Sequence, residues 1–245
     1  MITELIKEPL RLRNMWSHAT DSAIVLDSAV SVIGMVKTKK GRTGHGTGVL
    51  IAPRVVVTAY HVDDALYKRA IIKHGIDEVI SIEDTMRFPD IDVSVIYLEK
   101  PLPGPYAQIC DRNARVDESV IYPNVRLRRR RPYEETIAQA KEKRRPDFFN
   151  RGRAKGSDWE HWKGWRGRDV IKFTALSRGG NSGSAIFERS TNKIVSIVST
   201  GGRTLIPHFR ESSYGPRTED LREAVDQALE IFEQRYGAEA LALTK

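Results

Sequence analysis

Short apolar and β-branched runs, separated by glycine- or proline-containing turns, recur along most of the chain. In the first half they are SVIGMV, VLIAPRVVVTAYHV, AIIKHG, EVISI and DVSVIYL, and in the second half QIC, SVIYPNV, DVIKFTA, GSAIFE and KIVSIVST. Runs of this length and composition are typical of strands packed in a core. Many short strands with turns between them predict an all-β barrel or sandwich.

Near its end the chain changes to a helical period. Thr218 is the predicted N-cap of a helix over residues 218–236, and Gly237 would end it. The acidic residues Glu219 and Asp220 in the first turn suit the positive end of the helix dipole. One apolar face is expected, formed by Leu221, Val225, Ala228, Leu229 and Phe232.

The 245 residues include one cysteine, Cys110, so an intramolecular disulfide is impossible. This argues against a secreted protein stapled by several bridges and favours a reducing compartment. The first residues, MITELIKEPLRLRNMW, lack an apolar core of signal-peptide length, and no stretch approaches a membrane span. We therefore expect a soluble cytoplasmic protein.

The net charge of +8 is concentrated in one segment. Residues 126–168 contain 15 Lys/Arg and 6 Asp/Glu, together with Trp159, Trp162 and Trp165. Alternating cations and aromatic rings suit nucleic acid, and they also suit an acidic protein partner. The alternative is a solvated loop whose tryptophans pack on the protein. His161 has no second ligand at metal-binding spacing, and we expect neither a metal nor a cofactor.

Three short segments contain the side chains that acyl transfer requires. In GGNSGSAIF, Gly180 and Gly183 flank Asn181-Ser182 and permit a tight turn that aims two N–H groups at one point, although such a string also forms ordinary β-turns. TAYHV ends an apolar strand with His61. Each segment alone is weak evidence for a nucleophile with an adjacent base.

A third segment, FPDIDVSVIYL, places two carboxylates, Asp90 and Asp92, directly before a strand. The histidine base needs such a group to fix its tautomer. The order of His, Asp and Ser excludes an α/β-hydrolase, because the only histidine after Ser182 is His208, in the loop-like TLIPHF.

Together these segments resemble the trypsin-like serine proteases. TAYHV is similar to their Thr-Ala-Ala-His motif, DVSVIYL to Asp-Ile-Ala-Leu-Leu, and GGNSGSAIF to Gly-Asp/Asn-Ser-Gly-Gly. Asn181 stands where trypsins have aspartate, which resembles the HtrA-like and intracellular bacterial branch. The resemblance implies two six-stranded antiparallel β-barrels with a C-terminal helix. We place an N-terminal extension at 1–27, the first barrel at 28–102, and the second at 103–245 with a basic insertion at 126–168.

The resemblance also implies the roles of individual residues. His61 would be the general base, Asp92 its orienting carboxylate rather than the competing Asp90, and Ser182 the nucleophile. The backbone N–H groups of Gly180 and Ser182 would form the oxyanion hole.

The same resemblance places the primary specificity pocket. Its floor would be Leu176, six residues before the nucleophile, and its wall Ser199, Thr200 and Gly201. A leucine offers no carboxylate to a basic residue, so cleavage after small or medium apolar residues is expected.

Two functions remain open at this point. The first is an active serine endopeptidase acting on protein substrates, whose basic segment docks a substrate or regulator. The alternative is a protease-fold binding module with vestigial catalysis, in which the basic segment binds nucleic acid or an acidic partner. The presence of all three triad residues favours the endopeptidase, because a binding module has no physical need of them.

Overall fold

The computed structural model describes residues 23–37, 42–125, 127, 132–142, 148–158, 170–174, 177, 179–201 and 213–238. The helices are α1 (Ala23–Asp27), α2 (Tyr60–Ala65), α3 (Tyr133–Glu142) and α4 (Thr218–Tyr236). The strands are β1 (Ala29–Val36), β2 (Thr43–Ala52), β3 (Val55–Ala59), β4 (Leu66–Lys73), β5 (Ile82–Phe88), β6 (Val93–Leu98), β7 (Ser119–Asn124), β8 (Phe148–Asp158), β9 (Val170–Phe173), β10 (Ala185–Glu188), β11 (Ile194–Ile197), β12 (Thr200–Gly201) and β13 (Ser213–Pro216).

The first sheet is antiparallel throughout, with the strand order β4-β1-β2-β3-β6-β5. The central strands β3 and β6 are buried at every position, which explains their continuous β-branched sequences. A bridge between Ile71 and Ile80 connects β4 with the residues that precede β5, so the two edges of the sheet approach each other. This closes the sheet into a barrel.

The second sheet has the order β11-β10-β7-β8-β9-β13-β12 and is also antiparallel. The predicted class, two antiparallel β units followed by a C-terminal helix, is confirmed. The second sheet has seven strands rather than six, because Thr200–Gly201 adds a two-residue strand at its edge.

The described part of the basic segment contains a strand and a helix. Strand β8, Phe148–Asp158, lies between β7 and β9 in the middle of the second sheet, so the prediction of an insertion of loops is wrong for these residues. Its sequence FFNRGRAKGSD lacks the apolar alternation of a strand. It can pair all the same, because strand pairing uses backbone groups that every residue carries. Helix α3 packs on the outside of the first barrel, against Ile33 and Ile72.

Two shorter strand predictions also need correction. The segment EVISI forms a bridge at Ile80 and contributes only its last residue, Ile82, to β5, which continues to Phe88. The segment QIC likewise forms one bridge, between Ile109 and Ile194.

Helix α4 has the predicted bounds, and its buried face includes Leu221, Val225, Ala228 and Phe232. The predicted cap is wrong. Thr218 donates its hydroxyl to Val195 O at 2.6 Å, and the Asn113 side chain accepts from the N–H groups of Thr218 and Glu219 at 2.9 and 3.4 Å. A residue 105 positions away in sequence therefore satisfies the first turn. None of the described helices has the length and apolar content that crossing a membrane requires.

One apolar core joins the two barrels and the terminal helix. It includes Val56 and Ile96 of the first barrel, Phe187 of the second and Phe232 of α4. The ring of Tyr97 on β6 contacts Phe232, with ring centroids 5.2 Å apart. The helix thus packs on both barrels and holds them in a fixed relation.

A cluster of charges supports the second sheet. Arg112 donates to Glu118 at 2.7 and 3.1 Å and to the buried Glu188 at 2.8 Å. The hydrogen bond from Arg112 is the main reason that the pKa of Glu118 falls from 4.5 to about 2. Because this pKa is lower in the folded state, Glu118 stabilises the fold above about pH 4.5, and the stabilisation is lost as the pH falls towards 2.

We expect Glu118→Gln to lower the free energy of unfolding by about 2 kcal/mol at pH 7, and the difference from wild type to narrow as the pH falls from 4.5 towards 2. Urea denaturation of both proteins at several pH values measures this difference in the free energy of unfolding. A difference that is constant between pH 7 and pH 3 would show that the charge of Glu118 contributes nothing.

Candidate active site

His61 and Asp92 are placed by the ends of two neighbouring strands. β3 ends at Ala59, and His61 is the second residue of helix α2, which follows directly. Asp92 follows a 3₁₀ turn, Pro89–Ile91, and precedes β6 with a left-handed φ of 54°. Aspartate tolerates this region better than most residues. Tyr60 N–H donates to Asp92 O at 3.0 Å, which ties the two strand ends together.

The carboxylate of Asp92 faces His61 and not the solvent. It accepts from the His61 backbone N–H at 2.9 Å and lies 2.8 and 3.1 Å from the ring Nδ1. An ionised carboxylate can only accept, so Nδ1 is the donor in this contact, and in the neutral imidazole Nε2 is then the nitrogen with the lone pair. Asp92 is 7% exposed, whereas Asp90 is exposed to solvent. Of the two candidate carboxylates, Asp92 is the one in contact with the histidine.

A second carboxylate on the same helix as His61 is paired with other residues. Asp63, also on α2, is buried and forms ion pairs with Arg69 and with Arg87, whose Nε lies 2.6 Å away. Burial lowers the pKa of Arg69, and the charge of Arg87 lowers it further. These three residues were not predicted from the sequence; the paired acids in HVDDA were the only signal. They anchor the helix that carries His61 to β4 and β5.

Ser182 lies in a tight turn before β10. Gly180 and Gly183 have φ values of 101° and 84°, which only glycine adopts without strain, as the sequence predicts for these positions. The N–H of Ser184 donates to Asn181 O at 2.9 Å and closes the turn, and Gly183 N–H donates to Val198 O at 2.7 Å. The turn is therefore held by its own backbone and by the end of β11.

This turn, from the second barrel, is docked on the strands that lead to His61. Thr47 N–H on β2 donates to Ser182 O at 2.8 Å. A Cβ on Gly183 would lie 3.0 Å from the backbone nitrogen of Ala59, two residues before His61. A Cβ on Gly46 would lie 3.0 Å from Ser182 O and 2.5 Å from Val62. The Ser182 turn therefore lies beside the end of β3, the strand that leads into the helix carrying His61.

The predicted pocket wall lies at an edge of the second sheet. Ser199 is buried, and its N–H donates to Tyr214 O at 2.9 Å. Thr200 and Gly201 pair with Tyr214 and Ser213 of β13, and β12 stands last in the strand order of the described residues. The predicted pocket floor, Leu176, lies outside the described residues. The apolar specificity therefore stays a prediction.

Much of the basic segment at 126–168 also lies outside the described residues. The described residues do not include Arg126, Arg128–Arg131, His161 or the tryptophans between residues 159 and 165. Binding of nucleic acid or an acidic protein to this segment stays a prediction from its charge, as does a cytoplasmic location. In the described ranges, no three His, Cys, Asp or Glu side chains are grouped so that they could hold a metal ion.

The fold of this chain is shared with known proteins. The family model of the trypsin-like peptidase domain matches residues 46–197. The active form of the Rv3671c protease from M. tuberculosis has a similar structure, with a TM-score of 0.62, 16% sequence identity, and coverage of 91% of this chain and 85% of that one. The HtrA-type protease AlgW with tripeptide has a TM-score of 0.61 and 15% identity, over 83% of this chain and 61% of that one. No curated protein sequence is significantly similar to this chain.

The two aspartates allow a matched test of the His61 contact. We expect Asp92→Asn to lower peptide turnover by about 10⁴, because an amide can favour the wrong histidine tautomer, and Asp90→Asn to cost less than about 10-fold. Turnover of both variants on one peptide substrate measures this. The opposite ranking would place the orienting carboxylate at residue 90.

Gly180 has no room for a side chain. We expect Gly180→Ala to lower turnover by at least about 10²-fold, because a Cβ would overlap His45 Nε2 and the φ of 101° is strained for alanine. Gly237→Ala is the matched control, since Gly237 has a φ of 84° but nothing within 4 Å of its Cβ position. If both variants retain full turnover, the position of Gly180 is unimportant for catalysis.

Proposed function

Since the chain belongs to the trypsin-like peptidase family and is thereby a serine endopeptidase, we propose that His61, Asp92 and Ser182 are its catalytic triad. The observation that carries this proposal is the Asp92 carboxylate, which accepts both the backbone N–H and the ring Nδ1–H of His61. The docking of the Ser182 turn beside the same strand end supports it.

In the proposed reaction, the Ser182 hydroxyl attacks the carbonyl carbon of the scissile peptide bond while His61 Nε2 takes its proton. Asp92 stabilises the resulting imidazolium through Nδ1–H. Collapse of the tetrahedral intermediate breaks the C–N bond, and His61 gives its proton to the leaving amine. Water, deprotonated by His61, then hydrolyses the acyl-enzyme and returns Ser182 to its starting state.

The oxyanion of the tetrahedral intermediate requires donors that are not already used. We assign them to the N–H groups of Gly180 and Ser182. In the part of the chain that the structure describes, neither group donates to a backbone carbonyl. Fixed backbone donors of this kind stabilise the charge that develops in the transition state without reorganisation.

We propose that substrate lies along β12 in an extended conformation. Ser199, Thr200 and Gly201 match the Ser-Trp-Gly segment that forms the pocket wall in trypsin-like proteases, and an extended peptide can add to a strand through backbone hydrogen bonds. With Leu176 at the pocket floor, the preferred residue before the cleaved bond would be small or medium and apolar.

The nucleophile has a matched control two residues along the same turn, Ser184. We expect Ser182→Ala to lower hydrolysis of a protein substrate such as casein by about 10⁴–10⁶, because only binding and the oxyanion hole remain. Ser184→Ala should retain activity. The hydroxyl of Ser184 is buried and has no hydrogen-bond partner among the described residues, so its loss removes no interaction between them.

Both variants should unfold at temperatures close to that of the wild type, which circular dichroism measures. Hydrolysis that persists in a folded Ser182→Ala protein would overturn the proposed nucleophile. An inactive wild type would favour a binding module instead.

A further inference from the structure

We propose that Thr47 on β2 is a positioning residue that sets the geometry of the oxyanion hole. The inference rests on the proposed function, because it concerns the same Gly180 and Ser182 donors. Thr47 touches neither His61 nor Asp92 in any described hydrogen bond, and it lies on the opposite barrel from the serine. It would act through the Ser182 turn and not on the substrate itself.

Thr47 holds the turn at both residues that carry the oxyanion donors. Its hydroxyl donates to Gly180 O at 2.8 Å, and its backbone N–H donates to Ser182 O at 2.8 Å. Both carbonyls are therefore fixed to one residue of β2. These bonds fix the Gly180–Asn181 and Ser182–Gly183 peptide planes, which adjoin the planes that carry the Gly180 and Ser182 N–H groups.

Thr47 is itself rigid. It is completely buried within a strand that pairs with β1 and β3. Its carbonyl accepts the hydroxyl of Thr58 at 2.8 Å. A Cβ on Gly183 would overlap this same carbonyl oxygen, so Gly183, at the end of the turn, also packs closely against Thr47. The Thr47 side chain thus fixes the Ser182 turn of the second barrel relative to the first barrel.

The Thr47 hydroxyl is the one of these two donors that the strand backbone does not provide. A strand backbone can donate one N–H to the turn at this position, and that bond goes to Ser182. Gly180 needs a second donor because glycine has more backbone freedom than any other residue. Without the hydroxyl, Gly180 O would be held by no described residue, and the Gly180–Asn181 peptide could rotate and shift the adjoining N–H groups of Gly180 and Ser182.

The consequence is a specific kinetic signature. Loss of the hydroxyl should reduce stabilisation of the oxyanion, which exists only in the transition state and intermediate, and should leave ground-state binding unchanged. A merely structural role would instead lower the stability, with an effect on rate no larger than that of any other buried threonine.

The test uses p-nitrophenyl acetate and measures the pre-steady-state burst, which separates the acylation rate constant from the dissociation constant of the ester. For Thr47→Val we expect acylation to be about 10–100-fold slower and the dissociation constant to change by less than about 2-fold. Thr47→Ser retains the hydroxyl and should restore acylation to within about 3-fold of wild type. Thr218→Val is the matched control, since Thr218 is equally buried and donates to Val195 O at 2.6 Å.

The Thr218→Val protein should acylate at the wild-type rate even if its melting temperature falls as far as that of Thr47→Val. Acylation that is unchanged in Thr47→Val, or that is lowered equally in Thr218→Val, would overturn the positioning role while leaving the triad intact. Should Thr47→Val not fold, Thr47→Cys must give an intermediate rate, because a thiol is a weak donor; a wild-type rate there overturns the role as well. A wild type without any burst would overturn the proposed function, and this inference with it.

Discussion

The contact between the Asp92 carboxylate and His61 is the interaction on which the site depends. Burying an ionised carboxylate is costly unless it is hydrogen-bonded or paired. Here the backbone N–H and the ring of His61 supply those bonds, and the left-handed turn at Asp92 aims the carboxylate back at α2 instead of towards solvent. The burial that makes the carboxylate need a partner also orients the histidine.

A triad drawn from two barrels works only if the barrels keep a fixed relation. His61 and Asp92 belong to the first barrel, and Ser182 to the second. Their common core, with α4 packed across both, resists separation of the two units. At the site itself the relation is set more finely, by the two bonds from Thr47 to the Ser182 turn. Coarse alignment thus comes from apolar packing, and fine alignment from directional hydrogen bonds.

Much of the site could be predicted because its residues lie in short segments with strong local patterns. The β-branched residues of β3 and β6 predict buried strands. The glycines at positions 180 and 183 predict the positive φ values that are found there. What failed depended on partners distant in sequence. Strand β8 exists because β7 and β9 offer backbone groups on both sides, and the α4 cap comes from Asn113 in the linker to β7. No local pattern marks Thr47 in the sequence, because its proposed role depends on contacts between the two barrels.

The most direct test of the triad is to map the residue that a fluorophosphonate modifies. Only a serine activated by a neighbouring base attacks phosphorus at a useful rate, so the reagent reports the nucleophile and its activation together. The protein would be treated in its folded state, digested and analysed by mass spectrometry. The account predicts a single adduct, on Ser182. An adduct on any other serine, or none on the folded protein, would contradict it.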